Sequence, residues 1–216
     1  MHGCYDGVSA IVIPSLCDSL KVVGENWKYA VPSIPFIPMT YPQNRKPDFA
    51  ADFIRSGYER VIADLEKATG LKYSADQLAD SIKVYNQHNA VMRKLSDVLA
   101  QHPEVTTAQR SDIFKSAWFM LKEEHTALVQ ELIQQLEAQN PSNIGVPVVV
   151  TGILTDAPGL TSLFDEFGLR VVADDVAAES RQYRTDASTD GDPMECLINK
   201  FRNLDNCSVL YDPDKK

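Results

Sequence analysis

The chain has 216 residues, 44% of them hydrophobic and 24% charged, with a formal net charge of −9. This length permits one large domain or two small ones, and the acidity excludes a general nucleic-acid binder, which needs a basic face to displace counterions. No apolar run nears the roughly 20 residues that cross a bilayer. The start, MHGCYDGVSAIVI, lacks the basic region and cleavage site of a signal peptide, so a cytoplasmic protein away from membranes is expected.

The first elements are short. Ser9–Ile13 reads as a buried strand, Asp18–Tyr29 as a helix, and Ile34–Pro38 as a second strand hemmed in by prolines. The chain is then helical for nearly a hundred residues. Phe49, Phe53, Val61 and Leu65 keep a 3.6-residue spacing up to Gly70, which reads as a C-terminal stop. SADQ at Ser74–Gln77 is a capping box, in which a hydroxyl and an amide each satisfy a backbone N–H. Leu78, Tyr85, Met92 and Leu99 then recur every seven residues. A second box, TTAQ at Thr106–Gln109, opens one long helix with Ile113, Ala117, Leu121, Leu128, Leu132 and Leu136 facing inward. Such a stripe is core or subunit contact rather than a ligand site.

From Gly145 the pattern returns to strand and helix. GVPVVVTG predicts a buried strand. DAPGLTSLFDEFG predicts a helix capped by Asp156 with Pro158 in its first turn, and LRVVADD predicts the next strand. Together they form a βαβ unit with a parallel pair. DPMECLINKFRNL follows as a helix capped by Asp192, with Glu195 completing a box, and CSVLYD reads as a third strand. The expected fold class is therefore α/β: two partial Rossmann-like parallel-sheet domains, residues 1–47 and 141–216, around a helical region at 48–140. The few strands and abrupt ends suggest a piece of a longer protein, cut inside an α/β domain at each end.

In open α/β sheets, ligands collect beyond the carboxyl ends of the strands. That rule marks Pro14–Asp18, Thr151–Asp156 and Asp174–Arg184, and within them Cys17, Asp18, Thr151, Gly152, Ser180 and Arg181. TGILTDAPG carries neither nucleotide-binding glycine motif, so an ordinary strand–helix connection is favoured there. Arg181 and Arg184 either hold an anion bidentately or pair with Asp174, Asp175 and Glu179 in their own loop. Cys17 lies between a strand and a helix N-terminus, where the helix dipole favours a thiolate. A buried structural thiol is the plainer reading of its spacing. Cys4, Cys196 and Cys207 read as reduced core thiols, and no Cys-x-x-Cys or His-x-x-x-His pair marks a zinc site.

IVIPSLCDSLKVVGENWK resembles the strand–Cys-Asp–helix segment of the 2-hydroxyacyl-CoA dehydratase D-component family, which includes benzoyl-CoA reductase subunits. PFIPMTYPQNRKPDFAADFIRSGYERVIADLEKATG, LADSIKVYNQHN and VVVTGILTDAPGLTSLFDEFGLRVVADDVAAESRQYRTD resemble later segments in the same order, so the likeness covers nearly the whole chain. The last segment looks closest to the beta subunit of 2-hydroxyglutaryl-CoA dehydratase. The resemblance implies a heterodimer with an alpha subunit, a 4Fe–4S cluster in each subunit held by three cysteines, and an ATP-dependent iron–sulfur activator protein. It also implies a ketyl-radical dehydration of a (R)-2-hydroxyacyl-CoA. On this chain Cys17 matches the central cluster ligand. The other two ligands are implied to lie before Met1 and beyond Lys216, so the fragment alone is expected to be inactive. Two alternatives remain: an aroyl-CoA reductase subunit, and a non-catalytic α/β scaffold without the cluster.

Overall fold

The computed structural model describes residues 4–204. In chain order the elements are β1 (Ile11–Pro14), α1 (Asp18–Ala30), β2 (Phe36–Met39), α2 (Asp48–Thr69), α3 (Ala75–Leu99) and α4 (Thr107–Ser116). They continue with α5 (Lys122–Glu137), β3 (Val146–Gly152), α6 (Pro158–Glu166), β4 (Leu169–Val176), a 3₁₀ turn at Ser180–Tyr183, and α7 (Pro193–Asn203). The fold is thus mixed α/β, with two two-stranded parallel sheets and seven helices among the described residues. The expected strand at CSVLYD lies outside those residues. The chain divides into two compact units, one within Met1–Ala79 and Asp190–Arg202, the other within Asp80–Thr189.

In the first unit β1 and β2 pair in parallel, with Ile13 opposite Pro38 and Pro14 opposite Met39. Pro14 has no N–H to give, and Ser15 continues the ladder by donating its N–H to Met39 O at 2.8 Å. Each strand starts two residues later than the sequence pattern suggests. Helix α1 lies close on β2 because Gly24 meets the Phe36 ring, where an added Cβ would run into Cζ. Trp27 is buried beneath the connection, and its indole N–H donates to Ile34 O at 3.1 Å. Helix α2 buries Ala50, Ile54, Gly57 and Val61, while Phe49 and Phe53 point outward. Its buried face is therefore rotated by about one residue from the expected one. Gly70, at φ +75°, ends the helix as expected, with its N–H on Glu66 O at 2.8 Å. Helix α7 is capped by Asp192, whose carboxylate accepts the Glu195 N–H at 2.9 Å. Glu195 itself pairs with Arg55 rather than completing a box. Met194, Cys196, Ile198 and Phe201 form the buried side, and Tyr41 stacks on Phe201.

The second unit is built on α3, α4 and α5. Met92, Leu95, Val98, Leu99, Phe114, Val129, Ile133, Leu136 and Tyr183 make one core. Of the seven-residue series, Met92 and Leu99 are in it, whereas Tyr85 is half exposed. The Thr106–Gln109 box forms in both directions. At Ser74 the hydroxyl accepts the Gln77 N–H at 3.3 Å, one half of the expected box. The expected long helix is two helices. Helix α4 stops at Ser116 and α5 starts at Lys122, with the Lys122 ammonium donating to Ala117 O across the turn. The break changes the helical phase: Val129, Ile133 and Leu136 are inward, while Leu121 (67% exposed) and Leu128 (54%) face outward.

β3 and β4 pair in parallel, with a register shift between Val148 and Val149. The sequence predicts a buried β3, yet Val149 is 68% exposed. From Val148 onward the strand alternates between half-buried and exposed residues, so one face of an apolar strand is left uncovered. Asp156 does not cap α6. The cap position is Ala157, and the Asp156 carboxylate pairs with Lys115 at 2.8 Å. No helix among the described residues is long and apolar enough to cross a membrane.

Candidate functional site

Cys17 stands where the first βαβ unit turns from strand to helix. It is the N-cap residue of α1, in extended backbone (φ −141°, ψ 167°), and its carbonyl accepts the Lys21 N–H at 3.2 Å. The N-cap position normally carries Ser, Thr, Asp or Asn, whose oxygen satisfies one of the helix's orphan N–H groups. Here the thiol makes no capping bond. The residue is partly exposed and its thiol is in no disulfide. Asp18 beside it points to solvent and pairs with Lys21 at 3.3 Å. This position gives up a cap and keeps an accessible sulfur at the carboxyl end of β1. A metal centre needs more than one such group, and among the described residues no cluster of three His, Cys, Asp or Glu side chains could hold an ion. A 4Fe–4S cluster, held by several thiolates, therefore does not fit the described residues on their own.

The ends of β3 and β4 tell a different story. Thr151 is exposed, and Gly152 O and Ile153 O accept the N–H groups of Ala177 and Ala178 at 3.0 and 3.1 Å, lacing one strand-end loop to the other. Ser180 turns inward: its hydroxyl donates to Asp174 O at 2.9 Å and its N–H to the Asp174 carboxylate at 3.1 Å. Arg181 grips Asp175 with two nitrogens, at 3.1 and 2.7 Å, and Arg184 reaches the same carboxylate at 2.9 Å. The hydrogen bond from Arg181, joined by that of Arg184, holds the Asp175 carboxyl below the usual range. Of the two readings offered for these arginines, the structure shows the pairing within the loop.

Sequence reasoning missed the residue at the centre of this arrangement. Arg110, on the buried side of α4, donates from Nη2 to Asp174 at 2.5 Å and from Nε to Glu179 at 3.1 Å, and the other Glu179 oxygen accepts from Thr155. All three charged side chains are buried. Arg110 thus ties α4 to β4 and the loop after it, and Glu179 links that loop to Thr155 in the loop after β3. The cavity left between Arg110, Thr155, Leu160 and Glu179 is ≈ 10 Å³, about enough for one water. Helix α3 adds a second clamp. Arg93 pairs with Asp186 at 2.8 Å, Asn89 donates to the same carboxylate at 2.9 Å, and Asn86 exchanges two bonds with the backbone of Ala187. The one signal in the sequence is spacing, because Arg110 shares a helical face with Phe114 and Ala117, both buried.

The family described as 2-hydroxyglutaryl-CoA dehydratase, D-component, matches residues 2–216. The chain belongs to this family. It is 40% identical over 218 residues to the (R)-phenyllactyl-CoA dehydratase beta subunit of Clostridium sporogenes, covering 100% of this chain and 58% of that protein. It is 42% identical over 218 residues to lactoyl-CoA dehydratase subunit beta of Anaerotignum propionicum, covering 99% and 57%. With (R)-2-hydroxyglutaryl-CoA dehydratase subunit beta of Acidaminococcus fermentans the identity is 34% over 218 residues, covering 99% and 58%. The chain therefore spans somewhat more than half the length of these relatives.

Proposed function

We propose that the chain works within a beta-type subunit of an iron–sulfur 2-hydroxyacyl-CoA dehydratase, a lyase that removes water from a (R)-2-hydroxyacyl-CoA. The observation that carries this reading is the match, across the whole chain, to three dehydratase beta subunits at 34–42% identity. The partners in this reading are an alpha subunit and an ATP-dependent activator that delivers one electron for a ketyl-radical dehydration. Both βαβ units then belong to Rossmann-like domains, at 1–47 and 141–216, with the helical region 48–140 between them.

Within that reading Cys17 contributes one thiolate to a 4Fe–4S cluster whose other ligands come from outside the described residues. The loss of a helix cap at this position supports the assignment. A Ser or Asp would stabilise α1, so retaining a thiol points to a role other than folding. At the ends of β3 and β4, Ser180 and Arg181 are engaged by Asp174 and Asp175, and with Thr151 and Gly152 they serve in this account as scaffold. Asp18, turned to solvent, has no ligand role in it.

The test is reconstitution. The protein containing this chain is co-expressed with its alpha subunit and activator, purified without oxygen, and supplied with phenyllactyl-, lactoyl- or 2-hydroxyglutaryl-CoA together with ATP and a reductant. Conversion of one of these to its enoyl-CoA is expected. A colourless, iron-free complex would support the scaffold alternative and end this proposal, and reduction of benzoyl-CoA with no dehydration would move the chain to the aroyl-CoA reductase reading.

A further inference from the structure

Two buried histidines take no part in the function proposed above. His88 of α3 and His125 of α5 are 1% and 2% exposed, with His88 Nε2 2.9 Å from His125 Nδ1. On its far side His125 Nε2 lies 3.1 Å from both Ile113 O and the Ser116 hydroxyl of α4. The hydroxyl itself donates to Ile113 O at 2.8 Å. The Ile113 carbonyl assigns the protons of this chain. A carbonyl only accepts and the Ser116 proton is already used, so His125 Nε2 carries a hydrogen and its Nδ1 is bare. His88 must then donate from Nε2, which leaves His88 Nδ1 as an acceptor. That atom is buried and has no partner. A single chain of hydrogen bonds therefore joins α3, α5 and α4; it needs a bare His125 Nδ1, and a proton on His88 Nδ1 would leave it in place while adding a buried N–H without an acceptor.

We propose that the His88–His125 pair is a proton-sensitive latch, which holds α3 to α4 and α5 when neutral and is weakened when either ring takes up a proton. A proton on His88 Nδ1 would be a buried N–H with nothing to receive it. A proton on His125 Nδ1 would oppose the His88 N–H and force that ring into the same orphan state. The surroundings do not welcome the charge. From α5 come His125 and the Lys122 ammonium, from α4 the Ser116 hydroxyl, and from the 3₁₀ turn the Tyr183 ring at 5.5 Å, with Glu179 the acid acting on Tyr183. Burial first, then Lys122 and His125, pushes His88 down to about 4, and burial lowers His125 as well.

The experiment is a pH titration of the chain carrying 15N-labelled histidine, which has four such residues. His88 and His125 should both show the Nε2–H tautomer at neutral pH, with His88 titrating at about 4 and His125 below the ordinary histidine range. A fall of His88 from 6.5 to about 4 corresponds to proton binding about 300-fold weaker than in an unfolded chain. The urea midpoint should drop as pH falls from 6.5 towards 4, because the unfolded rings gain protons there and the folded rings do not. In His88→Leu the midpoint should be lower at pH 7 and should change less with acid. If that variant fails to fold, the labelled wild-type chain decides alone. His88 or His125 titrating near 6.5, an Nδ1–H tautomer on His125, or an unaltered acid slope in His88→Leu would overturn the latch.

Discussion

The molecule contains two βαβ units that use their strand ends in opposite ways. After β1 the chain offers Cys17, a helix cap that makes no capping bond. After β3 and β4 the charged side chains are paired: Arg110 joins Asp174 and Glu179, Arg181 and Arg184 share Asp175, and Asp186 is held by Arg93 and Asn89. The same topology thus supplies one end with a partly exposed cysteine at an uncapped helix start and one end where charge is used for rigidity. Strand-end position alone does not mark a functional site; what the side chains there are bonded to does.

This contrast can be broken from either side. The largest effect is expected at the closed end. Arg110→Met leaves Asp174 and Glu179 buried without their cation, and breaking a buried pair in this way costs about 3–5 kcal/mol. Urea unfolding should show it, with the loss confined to stability and the iron content of the assembled protein unchanged. Acid comes next. A buried histidine whose proton affinity falls from 6.5 to about 4 contributes about 3 kcal/mol that is present above pH 6.5 and lost on the way down to 4, and unfolding curves at several pH values measure it. At the open end, Gly24→Ala drives a methyl into the Phe36 ring. Overpacking of this kind costs roughly 1–3 kcal/mol and should tilt α1, and with it Cys17, so both the unfolding midpoint and iron retention should fall. The smallest stability effect is a gain: Cys17→Ser installs the missing cap and should raise stability by about 1 kcal/mol.

Local chemistry makes much of the fold legible in the sequence. Gly70 and Asp192 end and start helices where their side chains and backbone freedom dictate, the Thr106–Gln109 box closes, and both βαβ units form. These features depend on neighbours within a few residues. The departures arise where distant partners decide. Asp156 has the sequence position of a cap and instead meets Lys115, and the apolar stripe after Ile113 loses phase because the chain turns between Ser116 and Lys122. Arg110 finds its carboxylates 64 and 69 residues away, and His88 finds His125 37 residues away; no local pattern announces either. The strand–helix pattern marks Cys17 as a position, whereas its lack of a capping bond is a property of the folded chain.

One measurement separates the two strand ends most directly: the iron-to-protein ratio of the assembled, oxygen-free protein carrying Cys17→Ser, set beside its unfolding midpoint. The account predicts that most of the iron of this subunit is lost while the midpoint stays level or rises. Full iron retention, or a collapse in stability, would show that Cys17 is a packing residue and that the open end of β1 is no site.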